Sequence, residues 1–137
     1  MKIMGLDIGD VRIGIAQCDE MEIIASGVES YTRTGDLTKD CLYLANKAKE
    51  LGAKAIVLGL PINMNGTHGP ACEKVEAFSD ALKEVCDLPM DFFDERLTTA
   101  QAHRVLISAD VSRKKRKNVV DKLAAQLILQ AYIDMRG

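Results

Sequence analysis

A carboxylate at the end of an apolar run, with glycine two residues to either side, is unusual in a strand, and the stretch GLDIGDVRIGIA (5–16) has one at Asp7. Alternation puts Ile3, Gly5, Asp7 and Gly9 on one face, so no bulky neighbour shields Asp7 on its own side. Glycine there leaves room for an ion and lets a phosphate approach the backbone; a turn-opening Asp with hairpin glycines is the competing structural explanation. Asp121 is a second oddity. It falls early in a helical run from Val119 to about Met135 and shares its side with Ala124, Ala125 and Ile128, an acid aimed at a core face. A favourable interaction with the helix N-terminus would also account for it. Asp94 and Glu95, at the end of PMDFFDE, supply a third acidic position. Adjacent strand residues point to opposite faces, so alternation leaves open which of the two turns toward the others and which pairs with Arg96. Carboxylates converging without histidine or cysteine suit Mg²⁺ or Mn²⁺. Two such ions about 3.5–4 Å apart activate a water and stabilise the leaving oxygen in phosphodiester hydrolysis.

The elements that must position these residues are legible in outline. Ile3 to Gly9, Arg12 to Cys18 and Glu22 to Tyr31 read as three extended runs joined by turns too short for a helix, an antiparallel meander. From Asp36 the period becomes helical (Leu37, Cys41, Leu44, Ala45, Ala48, Leu51) until Gly52 stops it. AKAIVLGL is a buried strand, and a helix follows with Cys72, Val75, Phe78, Leu82, Val85 and Cys86 on one face. After the strand PMDFFDE, Thr98 or Thr99 caps a further helix to about Ala109, and the polar stretch SRKKRKN connects it to the last helix. Hairpin-linked strands followed by strand–helix alternation imply one mixed five-stranded α/β sheet with helices on both faces. Ligands of such sheets lie outside the carboxyl ends of the parallel strands, where Asp7, Gly59-Leu60-Pro61 and Asp94-Glu95 fall.

At 137 residues the chain has the length of one domain, taken here as 1–137. With 47% hydrophobic and 28% charged residues it has the balance of a globular protein, and its uncharged stretches are too short to span a membrane. The N-terminus reaches Asp7 before a signal-peptide core could form, which leads to a cytoplasmic expectation. Cys18, Cys41, Cys72 and Cys86 show no CxxC spacing and no pairing with histidine, so they read as small buried thiols rather than zinc ligands.

GLDIGDVRIGIA, GLPINMNGT, DERLTT and VDKLAAQLILQAYI together, in that order and over nearly the whole chain, resemble the YqgF (RuvX) family. That family is described as Holliday-junction resolvase-like and as nucleases maturing the 5′ end of pre-16S ribosomal RNA. The resemblance implies a ribonuclease H-like fold, with Asp7, Glu95 and Asp121 as the catalytic, metal-holding set. Asp94 stays open as an additional ligand. Val11 departs from the family, whose members often show Lys or another polar residue there.

Five consecutive cations, Arg113-Lys114-Lys115-Arg116-Lys117, precede Asp121, and a polyanion drawn to them would be delivered beside the proposed metals. A solvated connector is the plainer explanation. Arg96 and Arg104 extend the basic surface, and Arg12 could reach a phosphate from the turn after strand one. Only 4% of residues are aromatic, so recognition should be led by backbone and shape rather than base stacking. His68, in the loop PINMNGTHG, could meet substrate or simply be exposed. The resulting expectation is a nuclease using Mg²⁺ or Mn²⁺, as two ions by the two-metal chemistry above, on structured nucleic acid. The preferred substrate is pre-16S rRNA, with a ribosomal particle as a partner, and branched DNA is the alternative. A monomer suits the first and a homodimer the second. Two other classes compete: a non-catalytic nucleic-acid adaptor, and an actin-like ATPase suggested by GxDxGxxxxG, which would need a second such domain.

Overall fold

The computed structural model describes residues 1–98 and 113–136, and of 113–120 the backbone alone. Its elements are β1 (Ile3–Ile8), β2 (Arg12–Cys18), β3 (Ala25–Thr32), α1 (Leu37–Leu51), β4 (Ala55–Leu60), α2 (Pro70–Lys83), β5 (Met90–Asp94), a 3₁₀ turn (Glu95–Leu97) and α3 (Arg113–Arg136). The five strands form one sheet in the order β3-β2-β1-β4-β5. The meander pairs antiparallel, and β1, β4 and β5 pair parallel. The reading of a mixed sheet covered on both faces therefore holds.

Alternation divides the core in two. Met4, Leu6, Ile13, Ile15, Ile56 and Leu58 point to one face and pack against Leu44 of α1 and Phe78 and Leu82 of α2. Ile3, Ala16, Val57 and Phe93 point to the other and pack against Ala124, Ala125, Ile128 and Leu129 of α3. On that second face glycines bring α3 unusually close to the sheet. A Cβ on Gly5 would lie 2.9 Å from the Leu129 Cβ, and one on Gly14 would lie 1.9 Å from the backbone oxygen of Asp121. One on Gly59 would lie 2.6 Å from the Ile128 side chain.

Local chemistry explains the ends. Asp36 caps α1 by accepting the Lys39 N–H at 3.2 Å. Gly52 ends the helix in the left-handed conformation, φ 72°. The third strand begins at Ala25 rather than Glu22, because Asp19 Oδ1 accepts the N–H groups of Ile23 and Ile24 at 2.8 and 2.9 Å and folds that segment into a turn. Helix α2 ends at Lys83, so Val85 and Cys86 pack on the core from the turn beyond it. The expected helix to Ala109 lies outside the described residues. Cys18, Cys41 and Cys72 are buried and Cys86 half-buried; burial pushes the Cys41 thiol up to about 11.

The largest correction concerns the basic run. It is not a connector ahead of a helix starting at Val119: the backbone is helical from Arg113. Arg and Lys are strong helix formers, and nothing between 113 and 121 breaks a helix. Asp121 accordingly lies in the third turn of α3, beyond the reach of the helix N-terminus that would have explained it structurally.

Candidate active site

The site is built on one row across the sheet. Asp7 on β1 pairs in register with Gly14 on β2, and Gly14 with Ser30 on β3. Because Gly14 has no side chain, the α3 backbone settles directly above it, which brings Asp121 over the row. Ser30 then donates its hydroxyl to Asp121 Oδ2 at 3.0 Å, and Arg12 donates Nε to the same oxygen at 2.9 Å. Glycine fills the corresponding place on β4, where a Cβ on Gly59 would lie 3.2 Å from the Glu95 Cγ.

The strand-end acids separate cleanly. Phe93 is buried beneath α3, and Glu95, two residues on, is 5% exposed and on the same side. Asp94 takes the opposite course. Its carboxylate accepts the Arg96 backbone N–H at 2.9 Å and the Arg96 guanidinium at 2.7 and 3.0 Å. The hydrogen bond from the Arg96 side chain, followed by its backbone N–H and its charge, holds the Asp94 carboxyl below its ordinary value.

Asp7, Glu95 and Asp121 thus line a single cleft of about 340 Å³, together with Gly9, Asp10, Arg33, Pro61 and Lys74. Its acidic donors are oxygen only, the chemistry of a hard divalent cation. Among the described residues, no three Asp, Glu, His or Cys side chains are grouped tightly enough to hold a metal ion. The cleft suits such an ion in the type of its donors, while the acids stand too far apart in this arrangement to ligate one. Asp7, Glu95 and Asp121 are the residues that would hold such an ion, and Asp121 would then give up its pairing with Arg12.

Of the basic residues expected to meet nucleic acid, Arg12 is paired with Asp121 and Arg96 with Asp94. Arg104 lies outside the described residues. Arg113, Lys114, Lys115, Arg116 and Lys117 form the start of α3, so the run and Asp121 share one continuous helix. His68 is half-exposed and hydrogen-bonded through Nδ1 to Glu76 Oε1 at 3.2 Å, and it does not line the cleft. Sequence reasoning missed Ser30, Arg33 and Lys74. Ser30 is marked only by strand register, and Lys74 and Arg33 only by tertiary packing.

Comparison with known proteins agrees with this architecture. The family described as RuvX: Holliday junction resolvase matches residues 1–135. A Syntrophomonas wolfei protein named "Putative pre-16S rRNA nuclease" is 52% identical over 134 residues, covering 98% of this chain and 94% of its own. A Streptococcus thermophilus protein of the same name is 48% identical over 137 residues, covering 98% of each. Among solved structures, T. thermophilus RuvC in complex with Holliday junction substrate superposes with a TM-score of 0.56 at 10% identity, covering 99% of this chain and 96% of its own. That likeness shows the ribonuclease H-like fold.

Proposed function

Because the chain belongs to the RuvX family along residues 1–135, we propose that it is a nuclease, hydrolysing phosphodiester bonds in structured nucleic acid as one domain, 1–137. The observation that carries this is the cleft in which Asp7, Glu95 and Asp121 meet over a floor that glycines keep open. Its favoured substrate is the 5′ region of pre-16S rRNA, the activity named for its relatives at about half identity. That substrate places the enzyme in the cytoplasm, alone or on a ribosomal particle. Described residues contain no helix long and apolar enough to cross a membrane.

Asp7, Glu95 and Asp121 would hold Mg²⁺ or Mn²⁺, which would supply an activated, oriented water and charge stabilisation at the leaving oxygen. Arg12 and Ser30 position Asp121. Arg12 would also offer a substrate phosphate a charge-assisted contact, of the kind that favours the pentacoordinate transition state. Upstream, positions 114 and 117 share the side of α3 that carries position 121, so backbone phosphates are led along the helix toward the cleft.

Labelled RNA spanning a pre-16S 5′ junction and a four-way DNA junction, each with Mg²⁺ or Mn²⁺, test the proposal. Metal-dependent cutting is expected with wild type, preferentially of the RNA, and Asp7→Asn should lower it more than about a hundredfold with affinity retained. Preference for the DNA junction would support the resolvase activity in the family's name instead, and a dimer offering two sites would then be required. Salt-sensitive binding without cutting by either protein would leave an adaptor.

A further inference from the structure

Beside the carboxylate cleft lies a second, larger depression of about 700 Å³, which shares Asp10, Arg33 and Lys74 with it. It is bounded by the β1–β2 turn at Asp10 and Val11, by Gly35 and Leu37 at the start of α1, and by Lys74, Ala77 and Phe78 on α2. It therefore opens on the α1/α2 side of the sheet edge, away from α3 and its basic run.

Arg33 is held in this depression by three contacts. Its guanidinium lies 5.1 Å from the Phe78 ring centroid, and its Nη1 donates to the Gly9 carbonyl at 2.9 Å. Its Nε stands 3.6 Å from Oδ2 of Asp40, which is 1% exposed. The other Asp40 oxygen accepts Tyr31 OH, Thr34 N–H and the Thr34 hydroxyl at 2.8, 3.0 and 3.0 Å, while Oδ2 has no hydrogen bond. Beyond the Gly9 bond and that ion pair, the guanidinium donors of Arg33 have no hydrogen-bond partner among the described residues. A guanidinium fixed in advance with donors to spare is a low-entropy anchor for an oxyanion. Lys74 adds a second cation at the rim, paired among the described residues with the exposed Asp10 at 3.2 Å, a contact easily displaced.

We propose that this groove is a second nucleic-acid subsite, in which Arg33 and Lys74 take a backbone phosphate of the strand on the far side of the scissile bond from α3. This rests on the nuclease reading above. The substrate would cross the sheet edge, gripped on both sides of the carboxylates, and Asp10, on the rim the two depressions share, would oppose it.

Fluorescence anisotropy of a labelled single-stranded RNA over a salt series, with the full chain, tests the groove. Lys74→Gln and Ala77→Glu change exposed positions on α2 and leave the Arg33–Asp40 pair intact. Lys74→Gln should weaken binding and flatten the slope of log K against log salt by about 0.7, the value for one phosphate contact to a single strand. Ala77→Glu should weaken binding further, and Asp10→Asn should strengthen it. Lys114→Gln, on the side of α3 that carries Asp121, serves as the reference for the other side. If wild type and Lys114→Gln differ while the three groove variants match wild type in affinity and slope, the groove is overturned and the nuclease reading stands. If wild type shows no salt-dependent binding at all, both fall.

Discussion

Asp40 illustrates how a residue remote from chemistry governs a charged one close to it. Burial pushes its carboxyl up, but the Thr34 N–H, the hydroxyls of Tyr31 and Thr34 and the charge of Arg33 outweigh burial and hold it below its ordinary value. A carboxylate depressed in the folded state contributes stability fully above its unfolded pKa, about 4, and loses it as pH falls through the folded value. Thermal unfolding between pH 3 and 7 should show this loss in wild type. Asp40→Asn should unfold about 3 kcal/mol more easily at pH 7, the scale of removing one partner from a buried pair, with a flatter dependence in acid. Glu95 differs from its neighbour Asp94 through strand parity alone: one side chain follows Phe93 beneath α3, and the other turns to Arg96.

At the scale of elements, α3 is the part that brings Asp121 to Asp7, and Gly14 sets its height. Gly14→Ala would force a Cβ against the backbone oxygen of Asp121 at 1.9 Å, a clash no rotamer relieves. It should cost about 3 kcal/mol in chemical denaturation and abolish cleavage together. Gly27→Ala, whose Cβ would meet the Lys122 Cβ at 3.2 Å, should stay within about 1 kcal/mol and keep activity. The sheet, α1 and the placing of Asp7 were legible because alternation and helical period are local signals, and each is reinforced by a cap such as Asp36 or Gly52. The start of α3 was misplaced because a run of cations looks like a solvated loop, while its helix propensity, which decided the matter, points the other way. The pairing of Arg12 with Asp121 spans 109 residues of sequence, and no pattern within either segment announces it.

For the molecule as a whole, a net charge of −2 conceals two opposed fields: four carboxylates in one cleft, and five cations entering α3 just before Asp121. A cation that binds only the folded cleft should stabilise the entire sheet. Mg²⁺ or Mn²⁺ at about a hundred times its Kd should add about 2.7 kcal/mol to wild-type stability. Calorimetry should show that rise in Tm for wild type and lose it in Asp7→Asn, whether or not a substrate is present. The glycine floor beneath α3 also has an evolutionary consequence. Any replacement of Gly14 adds a Cβ that strikes the α3 backbone, so a descendant that abandoned catalysis and survived as a binder would be free to lose Asp7 or Glu95 but not Gly14. Across such descendants the glycine would record inheritance of the scaffold, and the acids alone would record which lineages still cut.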